Sequence, residues 1–495
     1  MTSFLFIENY SPLTNFLIGT ASFFGFYGIG VGLIGAARLQ FPSPWSEVGS
    51  VLLGIAAQSL AVQIAGYGAA LSIPLLKALW FCQVGVGAVF SIHGVQGLVR
   101  GLGFSISPKP SIYAAALIAA VCLGSLANLV VAIAPSTKID ELFYHMLVPS
   151  RLVVDQAFHF YPWPWQAAIV PQMIYQIALA PVHAMGFPDA GNVVSWWMSV
   201  SLSWFAWRVI RTAGHNASWS ALWVAGICVG IYPVVWHVTG GAHAMGDLAM
   251  VATVVAIAER ERSLKPLDPV AYGALVSMLA LAAASSKVTL LPISAAAILF
   301  VAWTSLRASE ASHRGRALVA IAAPWLVFYL PVLAWTFAKS GSPFGPMLAG
   351  VFGPSAYSES WMLSALKGGL EKSPLGEAAR LTFVSYSPLI WIGAAAALFF
   401  TDLSRPVRAF LASVTCLQLL LIVLLLPYDA RFLGGLHFGL LVVFATRVST
   451  KTFDFVNSRP VLVSLVPVLV LAPWLVAQCY YAKQFVPVSL GLERT

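Results

Sequence analysis

The chain has 495 residues, 59% hydrophobic and 9% charged, with a mean hydropathy of +0.84 and a formal net charge of +9. Soluble domains carry about 25% charged residues, so this composition excludes a soluble fold. A transmembrane β-barrel would show alternating segments of about ten residues, and none is present. Apolar runs near bilayer length recur throughout, which predicts an all-α polytopic membrane protein. The positive excess reads as cytoplasmic loops beside anionic lipid and not as a nucleic-acid surface.

In chain order, the N-terminal stretch lacks the basic segment of a cleavable signal, and residues 14–36 read as a retained helix. Further apolar spans follow at 48–73, 78–99, 112–134, 193–212, 217–237, 246–258, 268–286, 288–305, 317–338, 381–400, 408–427, 432–446 and 460–479, about fourteen in all. Stretch 166–185 is apolar too, but it carries Gln166, Gln172, Gln176 and His183 with Pro171 and Pro181. It is expected to lie at the membrane interface as an amphipathic helix. The five cysteines fall in or beside apolar spans, with no metal spacing and no disulfide framework.

Charge supports that choice. If 138–165 is extracytoplasmic and 166–185 does not cross, the cytoplasmic loops receive 16 of the 27 Lys and Arg residues, from Arg38 to Arg459. If it crossed, every later loop would flip and the short outer loops would carry the arginine clusters. The expected division is 1–110 as appended membrane helices with little polar content, 111–450 as the functional module with outer loops 135–192 and 339–380, and 451–495 as a last span and tail.

This topology gathers a set of polar residues at the outer helix ends. Asp140 and Glu141 follow an apolar run that ends at Pro135. In a partly dehydrated cleft such a carboxylate serves as a base or holds a divalent cation; in a solvated loop it only caps the helix that follows. Asp247 enters an apolar helix from a Gly-rich turn, where an acid is costly unless it works or sits at headgroup level. Lys287 separates two apolar runs, and Arg431 follows a span end beside Asp429. Each cation suits a phosphate at the outer leaflet, or snorkels to the headgroups. Asp429 and Arg431 also suit pairing with each other. His145 and His159 flank the helix after the acids, and His237 and His243 flank the glycine turn. Neither pair has zinc spacing, so no metal site is assigned. Walker A and GxSxG motifs are absent and no GxGxxG follows a strand, so reactants are expected from the lipid and the extracytoplasmic space.

The series DELFYHMLVPSRLVVDQAF, PQMIYQIALA, GGAHAMGDLAM, SSKVTLLP, PWLVFYLPVLAWTFAKSGSPFGPML and YDARFLGGLHFGLLVV occurs in order within about residues 112–447. It resembles the bacterial GT-C fold glycosyltransferases, in particular the family-39-like group related to dolichyl-phosphate-mannose protein mannosyltransferases. The resemblance implies a GT-C helical bundle in the bacterial inner membrane. It also implies inverting transfer of a sugar from a polyprenyl-phosphate donor to an extracytoplasmic glycan, lipid or protein acceptor. Asp140 would deprotonate the acceptor, directly or through a metal, with Glu141 as its alternate. Lys287 and Arg431 would stabilise the departing lipid phosphate. Tyr144, His145, His243 and Asp247 would complete the substrate site. No cofactor is called for, a divalent cation at the acids being the one candidate. Competing expectations are a secondary transporter or lipid flippase, which would show broken helices and midplane charges, and a polysaccharide polymerase or ligase.

Overall fold

The computed structural model describes residues 10–101, 112–137, 142, 145–160, 174–262, 264, 267–308, 311–344, 353, 384–425, 433–448 and 460–492. Among them the chain is almost wholly helical, and an isolated β-bridge joins Thr401 and Val448. Among the described residues six helices are long and apolar enough to cross a membrane, and six shorter apolar helices accompany them. The protein is thus an all-α membrane protein.

Helices α1 (Pro12–Ala36), α2 (Trp45–Tyr67) and α3 (Ile73–Gly101) pack through glycines. A Cβ on Gly30 would come within 1.8 Å of the Ser50 carbonyl, and one on Gly54 within 1.8 Å of the Phe26 carbonyl. Gly28 meets Gly87 in the same way. Apolar packing has no hydrophobic drive inside lipid, so close backbone approach and interhelical hydrogen bonds hold such helices together. Ser22 supplies two of those bonds, accepting from Trp80 Nε1 at 2.9 Å and, through its carbonyl, from Gln83 Nε2 at 2.8 Å. This unit is continuous with the main core: Phe23 stacks on Trp197 and Trp45 meets Phe205 edge-on, both partners belonging to the helix Ala190–Thr212.

Helix α4 (Ile112–Ala132) leads to the segment expected on the outer face, in which α5 (Leu147–Asp155), α6 (Ile174–Ala178) and α7 (Ala180–Ala184) are short. Residues 174–184 extend about 16 Å at 1.5 Å per residue, far less than a bilayer, so they do not cross. They are not an amphipathic surface helix either. All are buried, because α2, α3 and α5 cover them. Among the described residues of this stretch, Gln176 and His183 find protein partners, His145 and Ser150; Gln166, Pro171 and Gln172 lie outside the described residues.

The remaining helices are α8 (Ala190–Thr212), α9 (Ala217–Cys228), α10 (Ile231–Trp236), α11 (His243–Ala258), α12 (Pro269–Ser286) and α13 (Leu291–Ala308). They are followed by α14 (Ala311–Pro324), α15 (Leu330–Ser340), α16 (Pro388–Phe399), α17 (Arg405–Leu425), α18 (Gly434–Arg447), α19 (Pro460–Lys483) and α20 (Val486–Ser489). Two departures from straight spans stand out. The expected span 217–237 breaks at Gly230, whose φ of 152° suits glycine alone. Within 317–338, Pro324 leads into a π-helical turn at Trp325–Tyr329, the usual accommodation of an interrupted hydrogen-bond ladder.

Gln478 of α19 repairs the break at Gly230. It is fully buried. Its Oε1 accepts from Gly230 N at 3.1 Å, while Nε2 donates to the carbonyls of Gly124 (3.1 Å) and Cys228 (3.2 Å) and to Asn128 Oδ1 (2.8 Å). Freed backbone groups at membrane depth require such partners. At the centre, α11 is buried along its whole length and lies against α18. Gly435 and Gly439, four residues apart on α18, face Met250 and Val254, four apart on α11. A Cβ on either glycine would approach the α11 side chains to 2.8–2.9 Å.

Candidate functional site at one end of the bundle

The site is built from the turn that joins α10 to α11. After the break at Gly230 the chain forms α10, then reverses through residues 237–242 and starts α11 at His243. This reversal brings Asp247 of α11 back beside α10. Asp247 Oδ2 accepts from Tyr232 OH at 2.8 Å and meets His237 Nε2 at 2.8 Å. His237 Nδ1 lies 3.1 Å from Ser199 Oγ of α8. A neutral His237 with its proton on Nε2 satisfies both contacts, donating to Asp247 and accepting from Ser199. Tyr232 stacks on Tyr386 with ring centroids 4.6 Å apart, and Phe438 closes the side against both His237 and Tyr232.

Asp247 is 4% exposed and His237 1%. A carboxylate so enclosed needs charge-assisted hydrogen bonds to offset its desolvation, and it has two. Its depth is informative. Four residues into a 16-residue helix, it lies about 6 Å from the start of a rod of about 24 Å, so it belongs to one end and not the midplane. The start of α18 abuts the same carboxylate, since a Cβ on Gly434 would lie 2.6 Å from Asp247 Oδ2 and 2.7 Å from Tyr232 OH.

A second cluster lies beside the start of α11. His145 Nδ1 is 2.8 Å from Gln176 Nε2, which donates to it and leaves the ring proton on His145 Nε2. The His145 and His243 rings meet edge-on with centroids 5.9 Å apart, and Trp236 packs on His243 at 5.0 Å. Gly241 makes this approach possible, because a Cβ there would lie 3.0 Å from His145 Nε2 and 2.9 Å from His243 Cδ2. Tyr175 OH, 2.8 Å from Ser195 Oγ, and Ser195 Oγ, donating to Gly241 O at 3.4 Å, tie the turn to α6 and α8.

Of the residues singled out from the sequence, the structure brings His145, His243 and Asp247 to one end of the bundle. Lys287 is the extended residue that ends α12, next to Ser286, whose Oγ would lie 2.3 Å from a Cβ on Gly246. It is therefore attached to the same end. Asp140, Glu141, Tyr144, Asp429 and Arg431 lie outside the described residues. Asp140 and Glu141 immediately precede the His145 region in sequence, and Arg431 is three residues before Gly434. Among the described residues no group of three His, Cys, Asp or Glu side chains is placed to hold a metal ion. Sequence reading passed over Tyr232 and Ser199. Neither carries a local signal, because their pairing with the Asp247–His237 couple depends on the reversal of the chain and on α8.

The other end of the bundle is anchored by a buried ion pair. Arg447 Nε of α18 donates to Glu259 Oε1 at 2.8 Å, and its guanidinium also donates to the Ala258 carbonyl at the end of α11. Asp402 lies 3.8 Å from Arg447 Nη1 and pairs with Arg262. The two ends of α11 thus hold different polar assemblies, a carboxylate–imidazole couple at one and an arginine network at the other.

No family model, no curated protein and no solved structure matches this chain.

Proposed function

We propose that the protein is a GT-C type membrane glycosyltransferase of about fourteen transmembrane helices. It moves a sugar from a polyprenyl-phosphate donor to a glycan, lipid or protein acceptor on the extracytoplasmic face of a bacterial inner membrane. Asp140 is the base in this reading, with Glu141 as its neighbour. Lys287 and Arg431 stabilise the leaving phosphate, and Tyr144, His145, His243 and Asp247 shape the site around the sugar. The resemblance stated above supplies this assignment. The observation that favours it is the gathering of His145, His243, Asp247 and the end of α12 at one end of the bundle.

The test is Asp140→Asn. The variant is expected to insert and purify normally while losing sugar transfer from a polyprenyl-phosphate donor by at least a hundredfold, the upper part of the usual range for a general base being about 10⁴. Full transfer in that variant removes the base assignment.

One set of observations favours a transporter: the break at Gly230, the π turn after Pro324, and a buried Asp247 beside the broken segment. The two readings separate on Asp247→Asn in proteoliposomes. Proton- or sodium-coupled uptake that vanishes in this variant, with no sugar transfer by the parent, would replace the enzymatic reading.

A further inference from the structure

At the arginine-rich end, remote from the Asp247 site, the helix ends enclose a cleft of about 200 Å³. This is more than ten times the roughly 10–15 Å³ that a single water needs. Its walls include Arg260, Glu261, Tyr272, Phe300, Trp303 and Arg447. By the distribution of Lys and Arg among the loops this is the cytoplasmic end.

The arginines here are not equivalent. Arg447 is neutralised by Glu259, and Arg262 pairs with Asp402. Arg260 is different. Its Nη1 donates to the carbonyls of Leu264 (2.6 Å) and Leu267 (2.9 Å), and its guanidinium carbon sits 4.5 Å above the Tyr272 ring centroid. These contacts fix the guanidinium in place without cancelling its charge, and its other N–H groups remain for a ligand. Arg307 lies 4.3 Å over the Trp303 ring. Among the described residues neither Arg260 nor Arg307 has a carboxylate within ion-pair range.

The surroundings specify the ligand. Leu299, Trp303 and Arg307 follow one another at four-residue spacing down α13, so they share a helix face. Leu299 is 70% exposed and Trp303 41%. In a membrane-spanning helix, that face meets lipid. From the hydrocarbon toward the cytoplasm the order is aliphatic, aromatic, cationic, which is the order of an acyl chain, its ester region and its phosphate. Basic pockets between helices at the cytoplasmic boundary suit lipid headgroups for this reason. Glu261 adds a negative charge to the rim. It disfavours a multiply anionic ligand and complements an ammonium.

We propose that this cleft binds a membrane phospholipid whose headgroup carries a phosphodiester and a primary amine, with the phosphate at Arg260 on the side of the Trp303 wall, where Arg307 stacks on the indole, and the ammonium at Glu261. The site requires neither the glycosyltransferase nor the transporter reading.

The test uses the full-length protein in detergent, delipidated and offered dioleoyl-phosphatidylethanolamine, dioleoyl-phosphatidylglycerol or inorganic phosphate, with bound species counted by native mass spectrometry. The parent is expected to retain phosphatidylethanolamine in preference to the other two. Arg307→Gln, an exposed change with no structural hydrogen bond to lose, is expected to lower that retention about fivefold, the effect of one boundary cation. Arg260→Gln combined with it should lower retention more than tenfold. Glu261→Gln should bring phosphatidylethanolamine and phosphatidylglycerol to parity. Retention unchanged in Arg307→Gln, or inorganic phosphate displacing the lipid at equal concentration, would overturn the proposal. Equal retention of the two lipids by the parent would remove the role of Glu261.

Discussion

Asp247 shows how one side chain is made tolerable in an apolar bundle. Its carboxylate is held by the Tyr232 hydroxyl and by His237, and His237 is held in turn by Ser199. Removing the carboxylate leaves a buried hydroxyl and imidazole without their acceptor, so Asp247→Ala is expected to cost about 3–5 kcal/mol. Tyr232→Phe removes one hydrogen bond to a charged group and should cost about 1.5–3 kcal/mol. Thermal unfolding in detergent measures both. A loss below about 1 kcal/mol in Asp247→Ala would mean that the acid lies in a wet cleft and not in the enclosed couple described. The acid itself was legible in the sequence because charge is rare in these spans. Its partners were not, since a tyrosine fifteen residues upstream and a serine on another helix follow no helical period.

His183 provides a pH probe at the same scale. Its ring is buried in α7 with Nδ1 3.0 Å from Ser150 Oγ, and burial pushes its pKa down to about 3. The folded protein thus binds this proton less readily than the unfolded chain, whose histidine titrates near 6.5. The stabilising contribution is present above about pH 6.5 and declines as pH falls toward 3. Melting temperature should drop across that window, and His183→Gln should flatten the drop. An identical pH profile in the variant would show that other groups govern it.

Among the elements, the interrupted helix α9–α10 and the glycine contacts decide the architecture. Gln478 meets the backbone groups released at Gly230 and ties α4, α9 and α19 together. Gln478→Leu leaves those groups without a partner in an apolar interior and is expected to destabilise by about 1–3 kcal/mol. Gly54→Ala and Gly435→Ala separate two kinds of contact. At Gly54 the obstacle is a backbone carbonyl at 1.8 Å, so α1 and α2 must move apart; at Gly435 it is the Met250 side chain, with Cβ at 2.8 Å. Gly54→Ala is expected to prevent stable folding, whereas Gly435→Ala should cost about 1–3 kcal/mol as α18 shifts. Detergent stability and monodispersity measure the difference, and equal behaviour of the two variants would count against the packing described. The sequence shows these glycines without showing what they touch. The apolar stretch 166–185 illustrates the same limit, because its polar residues suggested an interface but the partners of Gln176 and His183 lie inside the protein.

For the whole molecule, the distribution of Lys and Arg gives the expected sidedness. The turn at 68–72 between α2 and α3 is assigned to the outer face, and the end of α8 at Thr212 to the cytoplasm. In a background without native cysteines, Ala70→Cys should react with an impermeant thiol reagent in intact cells, and Thr212→Cys only after lysis. The reverse pattern would invert the molecule and place the Asp247 site in the cytoplasm. The first three helices also belong to this scale. Their lack of polar residues suggested an appended unit, yet α1 and α2 share a core with α8, α11 and α12.

The sequence alone determined that the chain is a helical membrane protein, where its apolar stretches lie, and which few charged residues sit at helix ends. Each of these follows from composition and local order, because a bilayer admits charge and unpaired backbone only at its edges or in protected places. Tertiary structure decided the rest. It set which glycine faces which helix, where a span breaks, and which tyrosine, histidine and serine close around Asp247. Those outcomes depend on contacts between segments tens to hundreds of residues apart, and in this chain no local periodicity encodes them.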